Sequence, residues 1–135
     1  MEQPLIVTNA IIINEKNQFL LVKRAKEPFK NFWSFIGGKG AFKYTNDPLE
    51  AVKIEVKGDI NCDFEPKFFT YNVEDFGIPT LALFYYGIIK GEPKITEKFV
   101  SDFRWFTINE AINIDLGFDN KNILKMFLEN NKWKF

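Results

Sequence analysis

One stretch of this chain is written with a helical period, and nearly everything before and after it is written in short strand-like runs. Asn46-Asp47-Pro48 offers a capping side chain followed by proline in the first turn. Leu49, Val52, Val56 and Ile60 then recur at three- and four-residue spacing, which predicts a helix running to about Gly58 with one buried stripe. Ahead of it, Leu5–Ile13 is apolar and β-branched, residues 14–17 are turn formers, and residues 19–22 are apolar again, the pattern of a β-hairpin. Residues 32–36 form a further short strand that stops at the Gly37-Gly38 corner, and residues 39–46 form a basic and aromatic loop. After the helix, strands are expected over residues 67–73, 80–89 and 103–106, a helical turn over 109–112, and an amphipathic helix over 120–130 carrying Ile123, Leu124, Met126 and Phe127. Strands, helix, strands, helix is the order of a mixed sheet sandwiched between helices, an α/β architecture of the α+β kind. Strict βαβ alternation is missing, and Gly37-Gly38-Lys39-Gly40 is neither a dinucleotide fingerprint nor a phosphate loop.

No repeat or linker divides the 135 residues, so a single domain over 1–135 is expected. Sixteen phenylalanines give it ample apolar surface to offset the entropy of ordering. Eighteen basic and 18 acidic residues cancel, which leaves no global field for holding a nucleic acid, though small anions need only local charge. The chain has no histidine, which removes Ser-His and Cys-His nucleophile pairs and the usual zinc sites. Chemistry must therefore run on carboxylates, lysines, arginines, tyrosines or a metal held by oxygen. Cys62 is the only cysteine, so a disulfide within the chain is excluded and a reducing cytoplasm is the expected compartment. Residues 1–4 lack the features of a secretory leader, and no apolar run is long enough to span a bilayer as a helix, so no membrane association is expected.

The informative stretch carries Leu20-Leu21, Lys23-Arg24, Pro28, Trp33 and Gly37-Gly38, in that order, ahead of the helix. Ala51-Val52-Lys53-Ile54-Glu55-Val56-Lys57-Gly58-Asp59-Ile60-Asn61 follows, and later Phe103-Arg104-Trp105-Phe106 precedes Asn109-Glu110-Ala111. In these features the chain resembles the Nudix hydrolases, whose signature helix reads Ala, two residues, Arg, Glu, hydrophobic, any, Glu, Glu, any, Gly. The match is partial. Ile54 stands at the arginine, Gly58 at the first of the paired glutamates, Asp59 at the second and Asn61 at the final glycine.

The resemblance implies the Nudix fold and magnesium- or manganese-dependent cleavage of a nucleoside diphosphate linked to another moiety, of the ADP-ribose, nucleotide-sugar or nucleoside triphosphate class. Carboxylates at i and i+4 of a helix share one face. Glu55 and Asp59 keep that pair, and with the Gly37 carbonyl they are the expected metal ligands. Glu55, Asp59 and Asp102 are the expected catalytic groups, and Arg24, Lys39 and Trp33 the expected substrate contacts. The bland alternatives are a solvated helix face for the acids, a loop lysine, a strand arginine turned outward and a core tryptophan. If Gly58 ends the helix, Asp59 lies beyond it and the pair is broken. The same erosion of carboxylates suits a catalytically silent module that binds a nucleotide or a protein. Glu74 and Asp75 read most simply as a turn, and the abundance of aromatics leaves a homodimer open.

Overall fold

A computed structural model describes residues 4–130. The leader reading of the first residues falls largely on 1–3, outside this range.

Among the described residues, seven strands form one mixed sheet. They are β1 (Leu5–Ile13), β2 (Phe19–Arg24), β3 (Trp33–Ser34), β4 (Ile36–Gly38), β5 (Asp63–Asp75), β6 (Pro79–Lys90) and β7 (Val100–Phe106). The main path runs β3-β2-β1-β6-β5, with β4 paired to β1 and β7 to β2. β1 and β6 are parallel, Leu5 beside Thr80 through Ile12 beside Gly87, and the other pairings are antiparallel. The 14–17 turn closes the expected hairpin, its backbone held by the Asn14 side chain, which accepts from the Lys16 and Gln18 amides at 3.0 Å each. The strands are longer than the apolar runs alone suggested, because ladder hydrogen bonds continue through charged flanks such as Lys23-Arg24 and Glu74-Asp75.

Helix α1 (Pro48–Ile60) lies on one face of the sheet, and α2 (Ile108–Ile112) and α3 (Asn120–Glu129) lie on the other. Asp47 caps α1 by accepting from the Leu49 amide at 3.0 Å, and Asn61, at φ 58°, closes its end in the left-handed region. The helix thus runs past Gly58. A short 3-10 turn over Gly40–Lys43 occupies the loop before it. Thr107 and Glu110 form a reciprocal capping box that starts α2.

Alternation sorts the side chains into two cores. Val52, Val56 and Ile60 of α1 meet Ala10, Ile12, Leu20, Val22 and Tyr85 on one face. Ile123, Leu124 and Phe127 of α3 meet Ile11, Ile13, Phe19, Leu21 and Phe84 on the other. The corner between them, where β4 hands the chain toward α1, is built on two close approaches. A Cβ on Gly37 would stand 2.3 Å from Asn9 Oδ1, and one on Gly38 would stand 2.9 Å from Glu55 Oε2.

Candidate functional site

The glycine corner and the end of α1 line a cleft of about 560 Å³. Because α1 continues to Ile60, Glu55 and Asp59 stand one turn apart on the same side of it, and both line this cleft. Gly58 therefore lies inside the helix and does not cap it, contrary to the early stop its sequence position allowed. The last-turn carbonyls that would have required an early stop are instead taken by residues 94–96. The Thr96 amide donates to the Asp59 carbonyl at 3.0 Å, the Thr96 hydroxyl to the Gly58 carbonyl at 2.6 Å, and the Lys94 amide to the Ile60 carbonyl at 2.9 Å.

That strap brings in a carboxylate which the sequence did not single out. Glu97, next to Thr96, lines the cleft beside Glu55 and Asp59, and its Oε1 accepts from the Phe99 amide at 3.2 Å. Nothing local marks Glu97 among the charges of residues 90–98. The site is set by the hydrogen bonds between the strap and the helix end, which join parts of the chain 38 residues apart.

Glu55 and Asp59 both carry the electrostatic mark of crowding. Glu55 is pushed above its ordinary range by burial, and Glu97 adds to the shift. The Ala41 amide, donating to Glu55 Oε1 at 3.0 Å, pulls the other way, as does the Gly40 amide. Asp59, only 9% exposed, is pushed from its ordinary 3.8 to about 7, by burial first, then by the charges of Glu55 and Glu97, against the pull of Arg24.

The sign of the stability effect follows. An unfolded chain releases the Asp59 proton near 3.8, whereas the folded chain holds it until about 7, so between those values the folded state binds more protons and loses stability as pH rises. Glu55 acts in the same sense. In chelator, the thermal midpoint of the protein is expected to fall as pH rises between about 4 and 7, and Asp59→Asn is expected to flatten that fall. Parallel melting curves for the two proteins across this window would show that Asp59 is not the group responsible.

Arg24 and Lys39 also line the cleft. Arg24 already has partners. Its Nε donates to the Pro28 carbonyl at 2.7 Å, its guanidinium lies 4.7 Å from the centre of the Phe118 ring, and its charge falls on Asp59 and Glu27. Burial draws it down from the usual arginine value, against those two carboxylates.

Trp33 and Asp102 are not brought to the cleft. Trp33 packs edge-on against Phe106 at 5.0 Å, and its carbonyl accepts from the Gly117 amide at 2.8 Å, which anchors the segment that delivers Phe118. Asp102 is exposed on β7 with Oδ1 bonded to the Phe103 amide at 2.8 Å. The residue types fit a pocket, but Trp33 packs against the α3-side core, and the bulge beside Lys23 and Arg24 turns Asp102 away from cleft-lining Val100.

Aromatic rings also line the cleft. Phe76 and Phe118 stand 5.7 Å apart in its wall, and Phe29 packs on both at 5.2 and 4.8 Å. Leu5, Val7, Glu74, Ile78 and Thr80 line it as well. Neither Phe76 nor Phe118 belonged to the expected set, because only the fold separates them from the many core phenylalanines.

Carboxylate oxygens and a backbone carbonyl are donors suited to a hard divalent cation. Among the described residues, no three acids are grouped closely enough to ligate one ion directly. Magnesium needs less than that, since it keeps several waters and uses one or two carboxylates with substrate phosphates, and Glu55 and Asp59 fit such a site.

Comparison with known proteins adds the following. The NUDIX domain family matches residues 4–127. The structure is similar to that of a MutT NUDIX hydrolase from Burkholderia pseudomallei, with 24% identity, a TM-score of 0.80, and coverage of 92% of this chain and 98% of that one. It is similar to the NUDIX domain of Shewanella oneidensis NrtR complexed with ADP ribose, with 18% identity, a TM-score of 0.80, and coverage of 96% and 89%. It is also similar to a bifunctional NMN adenylyltransferase/ADP ribose pyrophosphatase from Francisella tularensis, with 18% identity, a TM-score of 0.78, and coverage of 96% of this chain but 42% of that one. A search of curated proteins gives no match.

Proposed function

The chain belongs to the Nudix family, and from that premise we propose that it is a magnesium- or manganese-dependent hydrolase that splits the diphosphate bridge of a nucleoside diphosphate linked to another moiety. The observation that carries this reading is the cleft itself, which Glu55, Asp59 and Glu97 line together with the Phe76 and Phe118 rings. A nucleotide offers an anionic bridge for a cation held by the acids and a flat apolar base for the rings.

Glu55, Asp59 and the Gly37 carbonyl would hold the cation, which when bound neutralises phosphate charge and lowers the pKa of a water. In this reading Glu97 would take the proton of a water whose oxygen bonds to phosphorus, while the phosphorus–oxygen bond of the bridge breaks and the departing phosphate keeps its electron pair. Lys39 supplies positive charge to the bridge. Arg24 balances Asp59 and, held by Pro28 and Phe118, keeps the floor of the cleft in one shape. Two of the similar proteins are described with ADP ribose, which makes ADP-ribose the first substrate to try, ahead of nucleotide sugars and nucleoside triphosphates. No helix among the described residues is long and apolar enough to cross a membrane, and a cytoplasmic setting with a small nucleotide as partner suits the single buried thiol.

The test is a substrate panel with magnesium or manganese. Nucleoside monophosphate should appear from at least one substrate, vanish with chelator, and form roughly 10² to 10⁴ times more slowly in Glu97→Gln. If no substrate yields monophosphate above the rate without protein, the chain is no hydrolase of this class, and titration of the same panel would then ask whether it binds without turnover.

A further inference from the structure

We propose that the free edge of β5 pairs with β5 of a second copy of this chain, making a twofold dimer centred on Tyr71. Among the described residues the strand is the last on its side of the sheet, and it is 13 residues long, so a row of backbone donors and acceptors faces outward along it. Such an edge is a template for another strand, and although Pro66 and the bulge between Phe68 and Thr70 interrupt it, residues 70–75 run on as regular strand.

The side chains beside the edge argue in the same direction. Ile6, Leu81 and Val73 stand in register across β1, β6 and β5, and Thr8, Leu83 and Tyr71 form the next row. These rows are on the face that carries α1, since the following row holds Ala10, Tyr85 and Phe68, and Tyr85 packs in the α1 core and edge-on to Phe68 at 5.5 Å. α1 covers Ala10 and Tyr85 but not the strand margin. Phe68, Tyr71 and Val73 are left 53%, 63% and 74% exposed. Three large apolar residues in line on a free edge are unusual for a strand that remains alone.

The charge pattern suits a copy of the same chain and disfavours two neighbouring registers. In an antiparallel pair related by a twofold axis, residues whose numbers share one sum lie opposite each other. With the axis at Tyr71, Lys67 of each copy lies opposite Asp75 of the other, Phe68 opposite Glu74, Phe69 opposite Val73, and Tyr71 opposite Tyr71. Moving the axis to Thr70 sets Glu65 against Asp75, and moving it to Phe69 sets Asp63 against Asp75. Each of those registers opposes like charges. The zero net charge means that two copies do not repel at long range.

Sedimentation and light scattering of the full chain at about 100 μM should give a dimer mass that falls on dilution. Tyr71→Lys, which puts two cations on the axis, should weaken association at least about tenfold while leaving the melting temperature of the monomer in place. Tyr71→Cys should cross-link to a covalent dimer on mild oxidation, whereas Met126→Cys, exposed on α3, should not. A monomer throughout the concentration range, a Tyr71→Lys protein that associates as tightly as the parent, or equal cross-linking at 71 and 126 would each overturn the proposal.

Discussion

Glu55→Gln is expected to cut kcat/KM on the best substrate by roughly 10³, about 4 kcal/mol of lost transition-state stabilisation, while leaving the protein folded. The substitution keeps the shape of the side chain and an acceptor for the Ala41 amide, which now donates to Glu55 Oε1 at 3.0 Å. It removes the negative charge. In the folded protein that charge is costly, since burial and Glu97 both push the carboxyl toward its neutral form. The metal-free variant should therefore melt no lower than the parent at neutral pH. Loss of activity with an unchanged or higher melting temperature separates a functional charge from a structural contact. Full activity in Glu55→Gln would remove the central ligand from the proposed site, and the mechanism with it.

Phe127→Ala is expected to cost about 3 to 5 kcal/mol of folding stability, measured by urea unfolding, which is a large part of the 5 to 15 kcal/mol typical of a domain. Phe127 is buried where α3 docks on the sheet. Its ring meets Phe19 at 6.1 Å, Phe69 at 5.1 Å and Tyr86 at 5.3 Å, on three different strands. Truncation leaves a cavity whose walls are rings fixed by their own strands, so little can collapse into it. One residue earlier, Met126 is 46% exposed, and Met126→Ala should change stability by no more than about 0.5 kcal/mol. Equal effects at the two positions would mean that α3 does not dock as described.

The two carboxylates of α1 show how far residue spacing carries. Their i, i+4 relation placed them on one face as soon as a helix was assumed, but the assumption itself turned on Gly58. A glycine inside a helix costs about 1 kcal/mol and often ends it. Here the helix continues because Thr96 and Lys94 bond to the carbonyls of its last turn, and Asn61 takes the left-handed closing conformation. Those donors are far along the chain, and no local pattern announces them.

Glu97 and Asp102 make the same point from the other side. Both are acids close to β7, and family spacing drew attention to the later one. Asp102 is fixed in β7 opposite Lys23, where it faces solvent, whereas Glu97 rides on the strap that crosses the end of α1. Trp33 and Phe118 divide likewise: the first is held in the core by Phe106, and the second comes to the cleft through the Trp33–Gly117 hydrogen bond.

Periodicity and capping chemistry were enough to give the element order, the buried stripe of α1 and the two-faced sheet, because each depends on neighbours within a turn or a hairpin. The Glu55–Asp59 pair was legible for the same reason, whereas the strand expected over residues 32–36 divides into β3 and β4, and Gly37-Gly38 lies within β4, paired to β1, rather than after the strand. Which acids and which rings face one cleft, and which strand is left with an open edge, are set by contacts between residues tens of positions apart. Those contacts exist only once the sheet has chosen its strand order, so tertiary structure alone decided them.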